Sequence, residues 1–262
     1  MRSTLVPILW LAALGAAGLG APDSARAASP AAAAARSLMD RYSQSVVTVR
    51  VVAKVRMVME GREMDEDEQT QEAKATVISP SGLCVTALSS VDPVHIVEMI
   101  MAGQEGFRWE ADITDVKIRP AEGREISARI VLRDRDLDLA FIQPTEPLPQ
   151  PMAPVDFAPA VEPGLLDQVL ILTRLGEVVN REPALLTDHI AALVEKPRRL
   201  YVTGMSVHMT GLGCPVFTLE GAPVGLLVMR ALPSTGADER DMLPVILPAA
   251  DLLRAAGQVP GD

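Results

Sequence analysis

Aromatic side chains make up only 3% of the 262 residues, so the interior has to be assembled from Val, Leu, Ile, Ala and Met. Positive charge is also short: 24 Lys and Arg against 34 Asp and Glu give a net charge of −10. Such a chain has no electrostatic footprint for nucleic acid or anionic lipid. Metal-ligating patterns are missing as well. The acidic run Glu60–Glu72 lacks the glycine that a calcium loop needs for its sharp turn, and nothing in the sequence pairs His189 with a nucleophile or a metal. We therefore expect neither metal nor cofactor. The one long apolar run, Leu5–Gly20, is sixteen residues, short of the roughly 20 needed to span a bilayer. It follows Met1-Arg2 and precedes Ala25-Arg26-Ala27, which together describe an export signal over residues 1–27 cleaved after Ala27. The mature chain is expected in the periplasm or secreted, without a stable membrane anchor. The two cysteines, Cys84 and Cys214, would then meet an oxidising compartment.

Residues 28–44 read either as an alanine-rich linker or as a helix capped by Ser29 with Pro30 at its first position. From Ser45 the chain changes character. Ser45–Val58 alternates apolar with polar and is rich in β-branched residues, which predicts a strand with one buried face. Glu60–Glu72 is nearly all polar and is expected as a solvated loop. Thr76–Ile78, the turn Ser79–Gly82 and Leu83–Thr86 form a hairpin pattern, as do Val116–Arg119, the turn at Glu122-Gly123 and Ile126–Leu132. No element is assigned between Val91 and Thr114, where Phe107 and Trp109 are expected to cover a core edge. The proline-rich stretch Thr145–Pro163 predicts an extended connector, dividing residues 45–150 from 151–262. Val169–Leu172, Ala184–Val194, Leu200–Thr203, Pro215–Leu219 and Val224–Met229 supply further strands, with a turn expected at Asp188-His189.

Four stretches of this pattern resemble the trypsin-like serine proteases, most closely the HtrA (Deg) branch. Ile78-Ser79-Pro80-x-Gly82, followed by Val85, Thr86 and Val91, is similar to the segment leading to the family's catalytic histidine. Asp138-Leu139-Ala140 is similar to its aspartate motif, and Thr210–Pro215 with the following hairpin to its nucleophile loop. Leu243–Leu253 resembles its closing strand and helix. The likeness spans about Ser45 to Leu253 and implies an all-β fold of two six-stranded barrels; many members of the HtrA branch continue into a peptide-binding PDZ module, which is not expected here.

The resemblance places the chemistry residue by residue. Asp138 fills the aspartate position, counting from Thr86 puts the histidine position at Ser89, and anchoring on Pro215 puts the nucleophile position at Leu212. Thr210, Gly211 and Gly213 fall on the oxyanion loop. Serine-protease chemistry needs a hydroxyl nucleophile and an imidazole base held by a carboxylate; Leu212 offers no nucleophile and Ser89 no base near neutral pH. His95 lies six residues past the slot, and Ser206 and His208 at i and i+2 would only share a strand face. The family arrangement also brings the strand of Cys84 near the loop of Cys214, which makes a disulfide between them conceivable.

Three readings follow: an exported pseudoprotease binding a peptide or protein, an endopeptidase with an unfamiliar arrangement, and an envelope component whose groove is plugged by Leu212. Homo-oligomerisation is left open.

Overall fold

The computed structural model describes residues 30–59, 62–101, 107–204, 211–233 and 240–260. The proposed export signal, Thr210, Ser206 and His208 lie outside them. Helix α1 (Pro30–Tyr42) resolves the first open choice in favour of a helix, and its alanine run suits that conformation. The first barrel contains β1 (Val46–Met59), β2 (Arg62–Val77), β3 (Cys84–Ala87), β4 (Phe107–Arg119), β5 (Ile126–Asp134) and β6 (Leu139–Pro144). It closes in the antiparallel order β1-β2-β3-β6-β5-β4. The second contains β7 (Gln168–Arg174), β8 (Pro183–Val194), β9 (Leu200–Thr203), β10 (Pro215–Thr218), β11 (Pro223–Pro233) and β12 (Arg240–Pro248), closed as β10-β11-β12-β9-β8-β7. Helix α3 (Ala249–Ala256) packs back on the second barrel through Leu252. Among the described residues no helix is long and apolar enough to cross a membrane.

Three sequence expectations are corrected. Most of Glu60–Glu72 is strand, not loop: β2 stays paired with β1 out to Met59↔Arg62, with one register shift between Met57 and Val58. Residues 66–70 are largely exposed, so this part of the strand has no buried face and no apolar alternation to betray it. Cross-strand charge supplies the pairing instead, with Lys54 Nζ 3.6 Å from Glu66 Oε1. Asp188 and His189 lie inside β8, opposite Val169 and Gln168, and not in a turn. Finally, Val91–Thr114 holds a helix, α2 (Pro93–Met101), and the first half of β4. Asp92 Oδ1 accepts hydrogen bonds from the backbone N–H groups of Val94 and His95 at 3.1 and 3.2 Å, and Pro93 occupies the first helical position. Trp109 is half-buried on β4.

The aliphatic core expected from the composition is present. Val47, Val49, Ala75, Val77, Ile118 and Ile142 fill the first barrel. A larger cluster fills the second and runs across the lobe boundary through Val85, Leu139 and Phe141, with Tyr42 of α1 stacked on Phe217 at 5.2 Å. Arg174 fastens the rear of the lobes: its Nε donates to Val46 O at 2.6 Å, and its Nη1 and Nη2 donate to the carbonyls of Arg181 and Ser43.

Candidate functional site

The lobes meet around Asp138, which is fully buried and sits in the left-handed region at φ +56°, a conformation that Asp tolerates better than most residues. The turn leading to it is closed by Leu137 N donating to Asp134 Oδ1 at 2.9 Å. Its carboxylate is a junction between elements. Oδ1 accepts from Ser89 N at 2.7 Å, and Oδ2 accepts from Ser89 Oγ at 3.0 Å and from Met229 N at 2.7 Å. Ser89 belongs to a single 3₁₀ turn, Leu88–Ser90, of the first lobe, and Met229 to β11 of the second. One carboxylate thus ties both lobes together.

A histidine also reaches it. His95 Nε2 lies 3.3 Å from Asp138 Oδ1, at ion-pair distance but outside hydrogen-bond geometry, and the residue is 6% exposed. The expectation that no imidazole stands beside Asp138 is therefore corrected. Helix α2 begins at Pro93 and turns residue 95 back toward the carboxylate, a rebuilding that counting along an extended chain cannot anticipate. The Asp92-Pro93 pair is a helix-start signal, and it was the clue available in the sequence.

No nucleophile among the described residues addresses this imidazole. Ser89 Oγ gives its proton to Asp138. Leu212, which the resemblance puts at the nucleophile position, is 4% exposed and packs with Ala87 and Met229, flanked by Met99 and Met242. Cys214 Sγ donates to Thr173 Oγ1 at 3.3 Å, and burial pushes its thiol up to about 11. Cys84 Sγ donates to Gly82 O, and burial pushes it up to about 12. Both are free thiols, so the disulfide is corrected too: Cys84 lies in the first-barrel core and Cys214 in the second. No group of three or more metal-ligating His, Cys, Asp or Glu occurs among the described residues.

The loop carrying Leu212 is held tightly even so. Cys214 N donates to Gly211 O at 3.1 Å, Gly213 N to Leu227 O at 2.8 Å, and Thr76 Oγ1 of the first lobe to Gly213 O at 2.8 Å. Gly213 has φ +79°, and a Cβ there would lie 2.1 Å from Lys74 O. Only glycine fits this crossing of loop and strand.

A family model described as trypsin-like peptidase domain matches residues 73–226. The fold is similar to that of the MamO protease domain from Magnetospirillum magneticum, in its apo form. Identity is 15% and the TM-score is 0.50, over 82% of this chain and 96% of that one. No curated protein matches the sequence.

Proposed function

Because the chain belongs to the trypsin-like peptidase domain family, we propose that it is an exported, non-catalytic member of the HtrA (Deg) branch whose interlobe cleft binds an extended segment of a peptide or protein. One observation carries this reading: the nucleophile position is a buried leucine inside an apolar cluster. A methyl-bearing side chain can neither attack a carbonyl nor hand a proton to His95, and the oxyanion loop alone provides little turnover.

Binding is supported by β11. Beyond Leu227 its partner among the described strands is β12, while the opposite edge meets Asp138 of the first lobe. Met229 N–H points to that edge, where Asp138 takes it. By the two-residue period of a strand, Ala231 N–H points the same way and can accept an added strand of ligand. Leu212 and its methionine neighbours close the cleft floor, as a purely structural protein would also require. The edge of β11 beyond Leu227 that no described strand takes is what favours a ligand.

The His95–Asp138 contact favours the second reading, an active endopeptidase of unfamiliar arrangement. Casein hydrolysis by the mature chain decides between them, run beside Leu212→Ser, Ser89→His with Leu212→Ser, and His95→Ala. The binding reading expects silence from wild type and at most a trace from the serine variants. Cleavage by wild type that His95→Ala abolishes would overturn it.

A further inference from the structure

Two arginines at this cleft are short of partners in a chain whose charge is otherwise strongly negative. The other arginines of the second-barrel strands and turns whose side chains are described have closer partners. Arg174 donates to three carbonyls, Arg181 lies 3.3 Å from Glu177, and Arg199 is gripped by Glu162 and Glu195. Arg198, next to Arg199, differs. Its Nη2 comes no closer than 3.9 Å to Asp136, whose side chain is 93% exposed, and its Nη1 is buried without a hydrogen-bond partner. A loose pair with so exposed a carboxylate contributes little, whereas a buried guanidinium N–H without an acceptor is costly.

Arg230 is the second. It follows Met229 on β11, one residue past the N–H that reaches Asp138. Its side chain is half-buried and has no hydrogen-bond or ion-pair partner among the described residues. Burial is the main influence on its pKa and lowers it; Asp138 opposes this, Arg198 adds to it, and Asp136 and Asp134 oppose it. The two guanidinium groups therefore lie within each other's field, beside the 134–138 turn of the first lobe and the ligand-facing strand of the second.

We propose that Arg198 and Arg230 form a carboxylate-recognition site, so that the segment taken into the cleft is an acidic peptide. The inference rests on the cleft-binding reading above and names its ligand class. Arginine suits the task because its planar fork meets a carboxylate through two parallel hydrogen bonds. A glutamate or aspartate side chain of a strand added to β11 would supply a close acceptor, which neither group has among the described residues. The acidic remainder of the surface would repel such a ligand elsewhere, which concentrates binding at this one place.

The test uses three octapeptides, measured by fluorescence anisotropy against the mature chain: an end-capped peptide carrying two glutamates, its capped glutamine counterpart, and the glutamine peptide with a free C-terminal carboxylate. The glutamate peptide should bind at least tenfold more tightly than the capped glutamine peptide, and the advantage should shrink at high salt. Arg230→Gln and Arg198→Gln should each remove most of that advantage while keeping the wild-type Tm, since neither arginine anchors the fold. An advantage of the free C-terminus that the same variants abolish also supports carboxylate recognition, with the chain end as its source. Equal binding of the capped glutamate and glutamine peptides overturns this inference but leaves the cleft reading standing. An advantage that survives both substitutions places the site elsewhere and overturns it as well. If no peptide binds, both readings fall.

Discussion

Replacing Asp138 by asparagine tests what the carboxylate does for the structure that holds it. The native side chain accepts from two backbone N–H groups, Ser89 N at Oδ1 and Met229 N at Oδ2, each at 2.7 Å. An amide has one acceptor oxygen. Whichever way it is turned, its NH₂ group faces one of these N–H donors in a site with no exposure. Leaving a buried N–H unpaired costs about 1–3 kcal/mol, and exchanging a charged for a neutral acceptor at the other costs roughly 1 more. The hydroxyl of Ser89 can rotate to accept from the new NH₂, so its bond at 3.0 Å is not wholly lost. We expect Asp138→Asn to lower the unfolding free energy by about 3 kcal/mol, a large share of the 5–15 kcal/mol typical of a folded chain. Urea denaturation of the two proteins measures this directly, with an unchanged m-value showing that the unfolding reaction is the same. Ser89→Ala, which gives up the hydroxyl bond alone, should cost about 1 kcal/mol. A loss below about 1 kcal/mol for Asp138→Asn would refute the view that this carboxylate braces the lobes.

Gly213→Ala should cost more than about 3 kcal/mol or prevent folding, because its Cβ would sit 2.1 Å from the Lys74 carbonyl at a positive φ; a variant with wild-type Tm would show that the loop does not cross β2 as described. Both thiols should resist iodoacetamide in the native protein at pH 8 and react in urea, and an intact mass two units below the dithiol value would contradict this. Burial holds Cys84 at about 12 and Cys214 at about 11, above the unfolded value of about 8.5. Above that pH the unfolded chain gives up protons that the native state keeps. Stability should therefore fall as pH rises past about 9, by about 1.4 kcal/mol per unit for each thiol, and a Cys84→Ala, Cys214→Ala variant should lose this alkaline slope.

The fold was legible wherever one strand face is buried. Val46–Met59 carries a period-two pattern that the burial of Val47, Val49 and Val51 explains, while Gln168–Arg174 and the hairpin of β10 with β11 carry continuous apolar runs, matched by the burial of Val169–Leu172 on both faces. It was illegible where burial does not select residues. Residues 66–70 are strand because β1 offers them partners, not because a face needs covering. His95 was missed for a different reason. Distance along an extended chain is a poor guide once a helix intervenes, and Asp92-Pro93 converts six residues of separation into a short return. Arg198 and Arg230 carry no motif; what distinguishes them is the absence of partners that their neighbours have, which only coordinates reveal.

The residues that remain family-like are those on which the scaffold depends. Gly213 is required by the carbonyl of Lys74 and Asp138 by two backbone donors, so each has a structural reason to persist that is independent of catalysis. Leu212 has the opposite character: its side chain packs with Ala87, Met99, Met229 and Met242, where an alkyl group adds apolar burial. The persistence of Asp138 is thus no argument for proteolysis, since the same carboxylate would be needed in a protein that never cleaves. The contact with His95 follows from the same need, because a buried carboxylate gains from any donor or positive charge brought within reach. A function for this cleft has therefore to be sought in the groups that the scaffold does not require. Arg198 and Arg230 are charged, partly desolvated and short of partners among the described residues, and an unmet need of that kind is a reason for a ligand.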